Sequence, residues 1–213
     1  MSFSAGVAQI DRPYFLGSYA QSPNGRFTIM WADSSSEAAV LMEDGPKIRG
    51  NYVLLDDRSI ALTGRVEEPY CGCVADNGTF AIAGTVDLTQ LASRMRVFSI
   101  DGSVLLSRKF GALPECVAVS SDGHYVAYQV CNSDHPRDGG KLTVIDVITR
   151  GTLIKKRPEG GRAVALRFEP DGRVLVAECE RGGNERFDLG EATPIPPPQS
   201  GSLPSAHDTP GTA

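Results

Sequence analysis

An all-β fold built from four antiparallel units is what the sequence predicts, and three observations carry that prediction. The first is a turn dipeptide, Asn24-Gly25, Asn77-Gly78, Asp122-Gly123 and Asp171-Gly172, recurring at spacings of 53, 45 and 49 residues. The second is the pattern after each turn: Phe27 and Ile29, Phe80 and Ile82, Tyr125 and Ala127, Val174 and Val176 stand two and four places beyond the glycine. That period of two places them on one face of a strand. The third is punctuation: 23 Gly and 14 Pro among 213 residues, about 17% against a usual value near 12%, which favours many short elements and argues against a helix bundle.

Asn-Gly or Asp-Gly between two apolar runs is a strong hairpin signal, because both residue types tolerate positive φ. Six residues before each Asn or Asp anchor stand Ser18, Cys71, Cys116 and Ala165, all small. Small side chains suit a first strand that crowds against its neighbours near a common axis. Units of 45 to 53 residues with four strands each are the sequence mark of a β-propeller blade. A two-sheet sandwich could use the same hairpins but would not require their regular spacing.

Outer hairpins follow in the second unit, Arg96–Arg108 around Asp101-Gly102, and in the third, Leu142–Lys155 around Gly151. The first unit offers a weaker equivalent, Glu37–Arg49 around Asp44-Gly45, and Tyr52–Thr63 reads as an extra hairpin, a degenerate fifth blade. The last unit has only Asn184–Leu189 and lacks its outermost strand, so the N-terminal stretch 6–14 is expected to complete that sheet and remove its open edge. The expected fold is therefore a small β-propeller of four, or five, antiparallel blades over residues 1–190, or a half-propeller completed by dimerisation. From residue 191 to 213 the chain is a Pro-rich tail with too few large apolar residues to order itself. The alternative for Pro194–Pro198 is a polyproline segment that fits a groove on a partner.

With these turns, and with Leu142-x-Val144-x-Asp146-x-x-Thr149 in the third unit, the chain resembles bacterial β-propellers of the WD-repeat-like and YVTN type over residues 15–190. It departs from that pattern in having no Gly-His opening or Trp-Asp closing dipeptide, and in having fewer blades than the usual seven. The resemblance implies a binding platform.

The charge balance, 21 basic against 26 acidic residues and a net −5, lacks the basic excess of a nucleic-acid binder. Arg150, Lys155, Lys156 and Arg157, the nearest approach to a basic cluster, read as a solvated strand edge. No apolar run reaches the ~18 to 20 residues of a membrane span, and the N-terminal residues do not read as a secretion signal. The expectation is a cytoplasmic protein with no membrane or nucleic-acid partner. Five cysteines, Cys71, Cys73, Cys116, Cys131 and Cys179, form neither a disulfide framework nor a paired zinc motif. They read as small buried apolar residues, and neither a cofactor nor a metal is expected.

No catalytic or phosphate-binding motif is present. The loop 131–140 holds Asp134, His135 and Asp138, which could approach a cation but equally suit a loop rich in turn formers. Arg167, Glu169 and His124 are the candidates for an axial acid-base site of the kind propeller lyases use. Trp31 and Tyr128 stand on second strands, Tyr128 read as core and Trp31 as a candidate anchor for a partner. The leading functional expectation is a non-enzymatic scaffold that binds a protein through its inter-blade loops. The alternative is a small-molecule or sugar-binding propeller, or a lyase, with its site at the central channel. A homodimer is the third expectation.

Overall fold

One set of hydrogen bonds recurs at all four anchor turns in the computed structural model, which describes residues 2–4, 6–11, 14–32 and 50–190. Gly25, Gly78, Gly123 and Gly172 have φ of 74, 82, 76 and 72°. Their N–H groups donate to the carbonyls of Ser22, Ala75, Ser120 and Glu169 at 2.8, 3.1, 2.8 and 2.8 Å. The side-chain oxygens of Asn24, Asn77, Asp122 and Asp171 accept the N–H two residues onward, at 2.9, 2.9, 3.0 and 3.0 Å. Only the glycine is left-handed. The Asn or Asp acts instead as an Asx-turn acceptor, which corrects the reading that both anchor residues exploit positive φ.

The strands these turns join form four sheets, each antiparallel throughout. The first holds β1 (Ser2–Ser4), β2 (Val7–Asp11), β3 (Tyr14–Gln21), β4 (Phe27–Trp31), β5 (Tyr52–Asp56) and β6 (Ser59–Gly64), in that order. The second holds β7 (Pro69–Val74), β8 (Phe80–Asp87), β9 (Ala92–Phe98) and β10 (Val104–Phe110). The third holds β11 (Pro114–Val119), β12 (Tyr125–Val130), β13 (Leu142–Asp146) and β14 (Thr152–Lys156). The last holds β15 (Ala163–Phe168), β16 (Val174–Cys179) and β17 (Asn184–Asp188). Among the described residues no helix is long and apolar enough to cross a membrane.

Apolar faces from successive sheets meet in three interfaces. Phe27, Ile29 and Leu54 of the first sheet pack on Phe80, Ile82 and Phe98 of the second. The rings of Phe80 and Phe98 stack there, with centroids 4.8 Å apart and planes 15° apart. Met95, Val97 and Leu106 of the second face Val126, Tyr128 and Ile145 of the third, where Phe110 stacks on Tyr128 at 4.9 Å. Leu142 and Val144 of the third meet Leu175, Ala177 and Phe187 of the last. The small first-strand residues Ser18, Cys71, Cys116 and Ala165 lie on β3, β7, β11 and β15 as expected. No core cluster of described residues joins the first and last sheets. The far face of the last sheet presents Ala165, Arg167, Glu178, Asn184 and Arg186 to solvent, a polar face of the kind that ends a stacked array. The architecture is thus a small, all-β, propeller-like array of four sheets.

Two further expectations change. The N-terminal stretch does not complete the last sheet: β2 pairs with β3, Val7 opposite Ser18 and Asp11 opposite Tyr14. Its alternating Ala8 and Ile10 join Phe15, Met30, Val53 and Leu55 in a fourth apolar cluster on the first sheet, and that burial decides the pairing. Tyr52–Thr63 is not a fifth blade either. Its hairpin is the outer half of the first sheet, with β5 hydrogen-bonded to β4, Ile29 opposite Leu54, because Leu54 belongs to the same core as Ile29. The hairpin expected at 37–49 and the tail 191–213 lie outside the described residues.

Candidate functional site

The anchor turns gather at one end of the sheets, and the connections between sheets gather at the other. At the latter end a recess of about 1000 Å³ opens among loops of the second, third and last sheets. Its walls include Gln90 and Leu91 from the β8–β9 loop, Asn132–Pro136 from the β12–β13 loop, Arg157–Glu159 and Arg162 before β15, and Glu180 and Arg181 after β16. Nothing in the hairpin arithmetic marks these residues, because they come together only when three sheets pack side by side.

Asp138 holds the β12–β13 loop in place. Its Oδ2 accepts the N–H of Gly111 at 2.9 Å, its Oδ1 accepts from Lys155 Nζ at 2.9 Å, and His135 Nδ1 lies 3.2 Å away. Burial pushes the Asp138 carboxyl up, but the Gly111 amide, the Lys155 ammonium and His135 outweigh it and hold the group below its ordinary value. Asp138 is therefore a positioning residue, while Asp134 and His135 stand exposed on the wall of the recess. Among the described residues no group of three or more His, Cys, Asp or Glu side chains is arranged to hold a metal ion, so these three do not converge as ligands.

Arg162 braces the recess floor. Its guanidinium donates to Glu115 Oε2 at 3.0 Å, and Cys131 Sγ donates to the same oxygen at 3.0 Å. Glu180 Oε2 lies 3.5 Å from the Arg162 Nε. Burial and then the neighbouring Glu115 push the Cys131 thiol up to about 11. Burial raises Cys73 and Cys116 to about 12. All five cysteines are free, and thiols held this far above neutrality are poor nucleophiles.

A second recess, of about 420 Å³, lies on the axis at the anchor-turn end. Residues from all four first strands or their turns line it, including Val74, Val119, Leu166, Phe168 and the candidates Arg167 and Glu169. Glu169 forms an ion pair with Arg186. His124 lies elsewhere, in a separate recess with Val104, Ile148 and Arg150. There it stacks on Tyr125 at 4.6 Å, with Nε2 3.5 Å from Asp146. The acid-base set of His124, Arg167 and Glu169 is not assembled, because the hairpin turn carries His124 to the outer side of its sheet.

Trp31 is not an exposed anchor. It is 8% exposed, belongs to the core between the first and second sheets, and donates from Nε1 to the Tyr70 carbonyl at 3.2 Å. Gly72 makes room for it: a Cβ there would lie 2.9 Å from the indole Cε3. Tyr128, 6% exposed, is core as the sequence reading had it.

No protein-family model matches the chain, and no curated protein matches it. Solved structures do. Hydrazine synthase of Kuenenia stuttgartiensis, a β-propeller-containing protein, is similar at a TM-score of 0.53 and 17% identity, over 81% of this chain and 45% of that one. The likeness is one of fold alone. The chain spans less than half of that protein's chain, and 653 solved chains match, so the architecture is too widely shared to name an activity.

Proposed function

We propose that this protein is a non-enzymatic scaffold of WD-repeat-like or YVTN-type blades that binds a protein partner in the cytoplasm through its inter-blade loops. The observation that carries this reading is the loop-walled recess. It is wide, and its Asp134, His135, Arg157, Glu159, Glu180 and Arg181 mix both charges. Leu88 and Leu91 from the neighbouring β8–β9 loop add exposed apolar surface. Mixed polar walls beside an apolar element are the anatomy of a protein interface rather than of a small-ligand pocket. The free cysteines fit a reducing compartment. A photo-cross-linking residue at Asn132 or Arg181 is expected to capture one partner, and the same residue at Asp171, at the opposite end, to capture none. Equal capture at both ends, or capture at neither, overturns the reading. A second copy of the chain as the captured species would mark the partner as itself.

One observation favours a second reading. Arg167 and Glu169 share the axial recess with an apolar lining, which suits a small molecule or a sugar. Ligand-induced thermal shifts that vanish in Arg167→Ala would support it, and shifts that persist would remove it.

A further inference from the structure

The axial recess at the anchor-turn end contains one cation and one carboxylate that are not used up by their neighbours. Arg167, on β15, lines it and makes no ion pair or side-chain hydrogen bond among the described residues. The nearby Glu169 is already neutralised by Arg186. Asp76, half-buried in the anchor turn of the second sheet, lines the same recess. Its Oδ1 accepts the N–H of Asn24 at 2.8 Å, and its Oδ2 accepts no hydrogen bond from any described residue. β11 packs against both β7 and β15, so the two charges belong to separate walls. The rest of the lining includes the apolar Val74, Val119, Leu166 and Phe168.

The mouth of the recess is held in place by the turns themselves. The N–H of Asp76 donates to the carbonyl of Ser121 at 2.9 Å, and Ser121 Oγ donates to the carbonyl of Pro170 at 3.2 Å. The turns carrying Asp76 and following Arg167 are thereby tied through the third sheet, and a site fixed before its ligand arrives loses less entropy on binding.

We propose that this recess binds a free amino acid with an apolar side chain, its carboxylate on Arg167 and its ammonium on Asp76. The inference rests on the small-molecule reading of the recess and names the ligand class. The planar guanidinium fork of arginine matches a carboxylate. The apolar wall takes the side chain and offers little to the hydroxyls of a sugar, which would be buried without partners. A simple carboxylic acid would leave Asp76 uncompensated in the same cavity, and a simple amine would do the same to Arg167. The volume, about 420 Å³, lies toward the small end of the roughly 300–1,000 Å³ of small-ligand sites, which suits one residue-sized molecule.

Calorimetric titration of the full chain with L-phenylalanine, phenylpropionate, phenethylamine and glucose tests this. L-Phenylalanine is expected to bind about tenfold or more tighter than phenylpropionate, which lacks the ammonium, or phenethylamine, which lacks the carboxylate. Arg167→Gln is expected to bring phenylalanine down to the level of phenethylamine. Asp76→Asn, which keeps an oxygen for the Asn24 N–H, is expected to bring it down to that of phenylpropionate. The analogue series is read on the unaltered chain, so it decides the matter even if a variant fails to fold. Equal affinity for phenylalanine and either analogue, unchanged affinity in Arg167→Gln, or binding of glucose alone overturns this inference and leaves the small-molecule reading standing. Binding of none of the four overturns both.

Discussion

The backbone N–H of Asp76 donates to the carbonyl of Ser121 at 2.9 Å, tying the anchor turn of the second sheet to that of the third. The ladder continues in both directions. The N–H of Asn24 donates to Asp76 Oδ1 at 2.8 Å, Asn77 Nδ2 donates to the Asp122 carbonyl at 2.6 Å, and Ser121 Oγ donates to the Pro170 carbonyl at 3.2 Å. Each sheet is thus registered against the next by polar groups at the turn end and by apolar packing in the middle.

Asp76 is the side chain in this ladder that holds the first sheet. Asp76→Ala is expected to destabilise the fold by about 1 kcal/mol, the net worth of one such hydrogen bond. Chemical denaturation measures it, and an unchanged midpoint would remove the ladder from the list of stabilising features.

The β5–β6 hairpin turns through two non-glycine left-handed residues, Asp57 (φ 45°) and Arg58 (φ 69°). Two successive positive φ values are the type I′ geometry, in which Gly is preferred at the second position. Arg58→Gly is expected to raise stability by up to about 1 kcal/mol, because the Cβ penalty exceeds the entropy that glycine loses. A thermal unfolding series on Arg58→Gly and Arg58→Ala checks it; a gain in Arg58→Ala as large would assign the effect to something other than φ.

The close approach of Gly72 to Trp31 makes the inter-sheet core sensitive to one methyl group. Gly72→Ala is expected to cost about 1–3 kcal/mol by overpacking. Trp31→Phe in the same chain should recover part of that loss. Independent, additive effects in the double-mutant cycle would show that the two residues do not press on each other.

Asp138 makes stability depend on pH. Its carboxyl titrates below the ordinary 3.8, against the effect of burial, through Gly111, Lys155 and His135. A group whose folded value is depressed adds stability above its unfolded value and loses that contribution as pH falls through the folded one. Stability is therefore expected to drop below about pH 4, and Asp138→Asn to flatten that acid limb. Urea melts between pH 2 and 6 provide the check; identical pH slopes in the two proteins would contradict it.

The thiols offer a kinetic test. With Cys73 and Cys116 raised to about 12 by burial, almost no thiolate exists at pH 8. Alkylation of these two side chains is expected to follow unfolding of the sheets rather than direct attack. Rapid labelling of native protein at either position would show the inner strands to be open.

What could be read in the residues themselves was local. Four Asn/Asp-Gly turns, the alternation of Phe80 and Ile82 behind them, and small residues at Ser18, Cys71, Cys116 and Ala165 determined that the chain is a set of hairpin-based sheets in sequence order. Those signals are local because hydrogen bonds within a turn, and the period of a strand, depend on residues only a few places apart. Packing decided the rest. The N-terminal stretch could pair with either of two edges, and only the burial of Ala8 and Ile10 against Met30 and Val53 selects β3. Tyr52–Thr63 could be a blade of its own, and only the shared core of Leu54 with Ile29 makes it the outer half of the first sheet. Trp31 carried no sign of whether it faces a neighbour or solvent. The loop-walled recess was legible only in part: the loop 131–140 stood out for Asp134 and His135, but Leu91, Arg157 and Arg181 join it only through the stacking of three sheets.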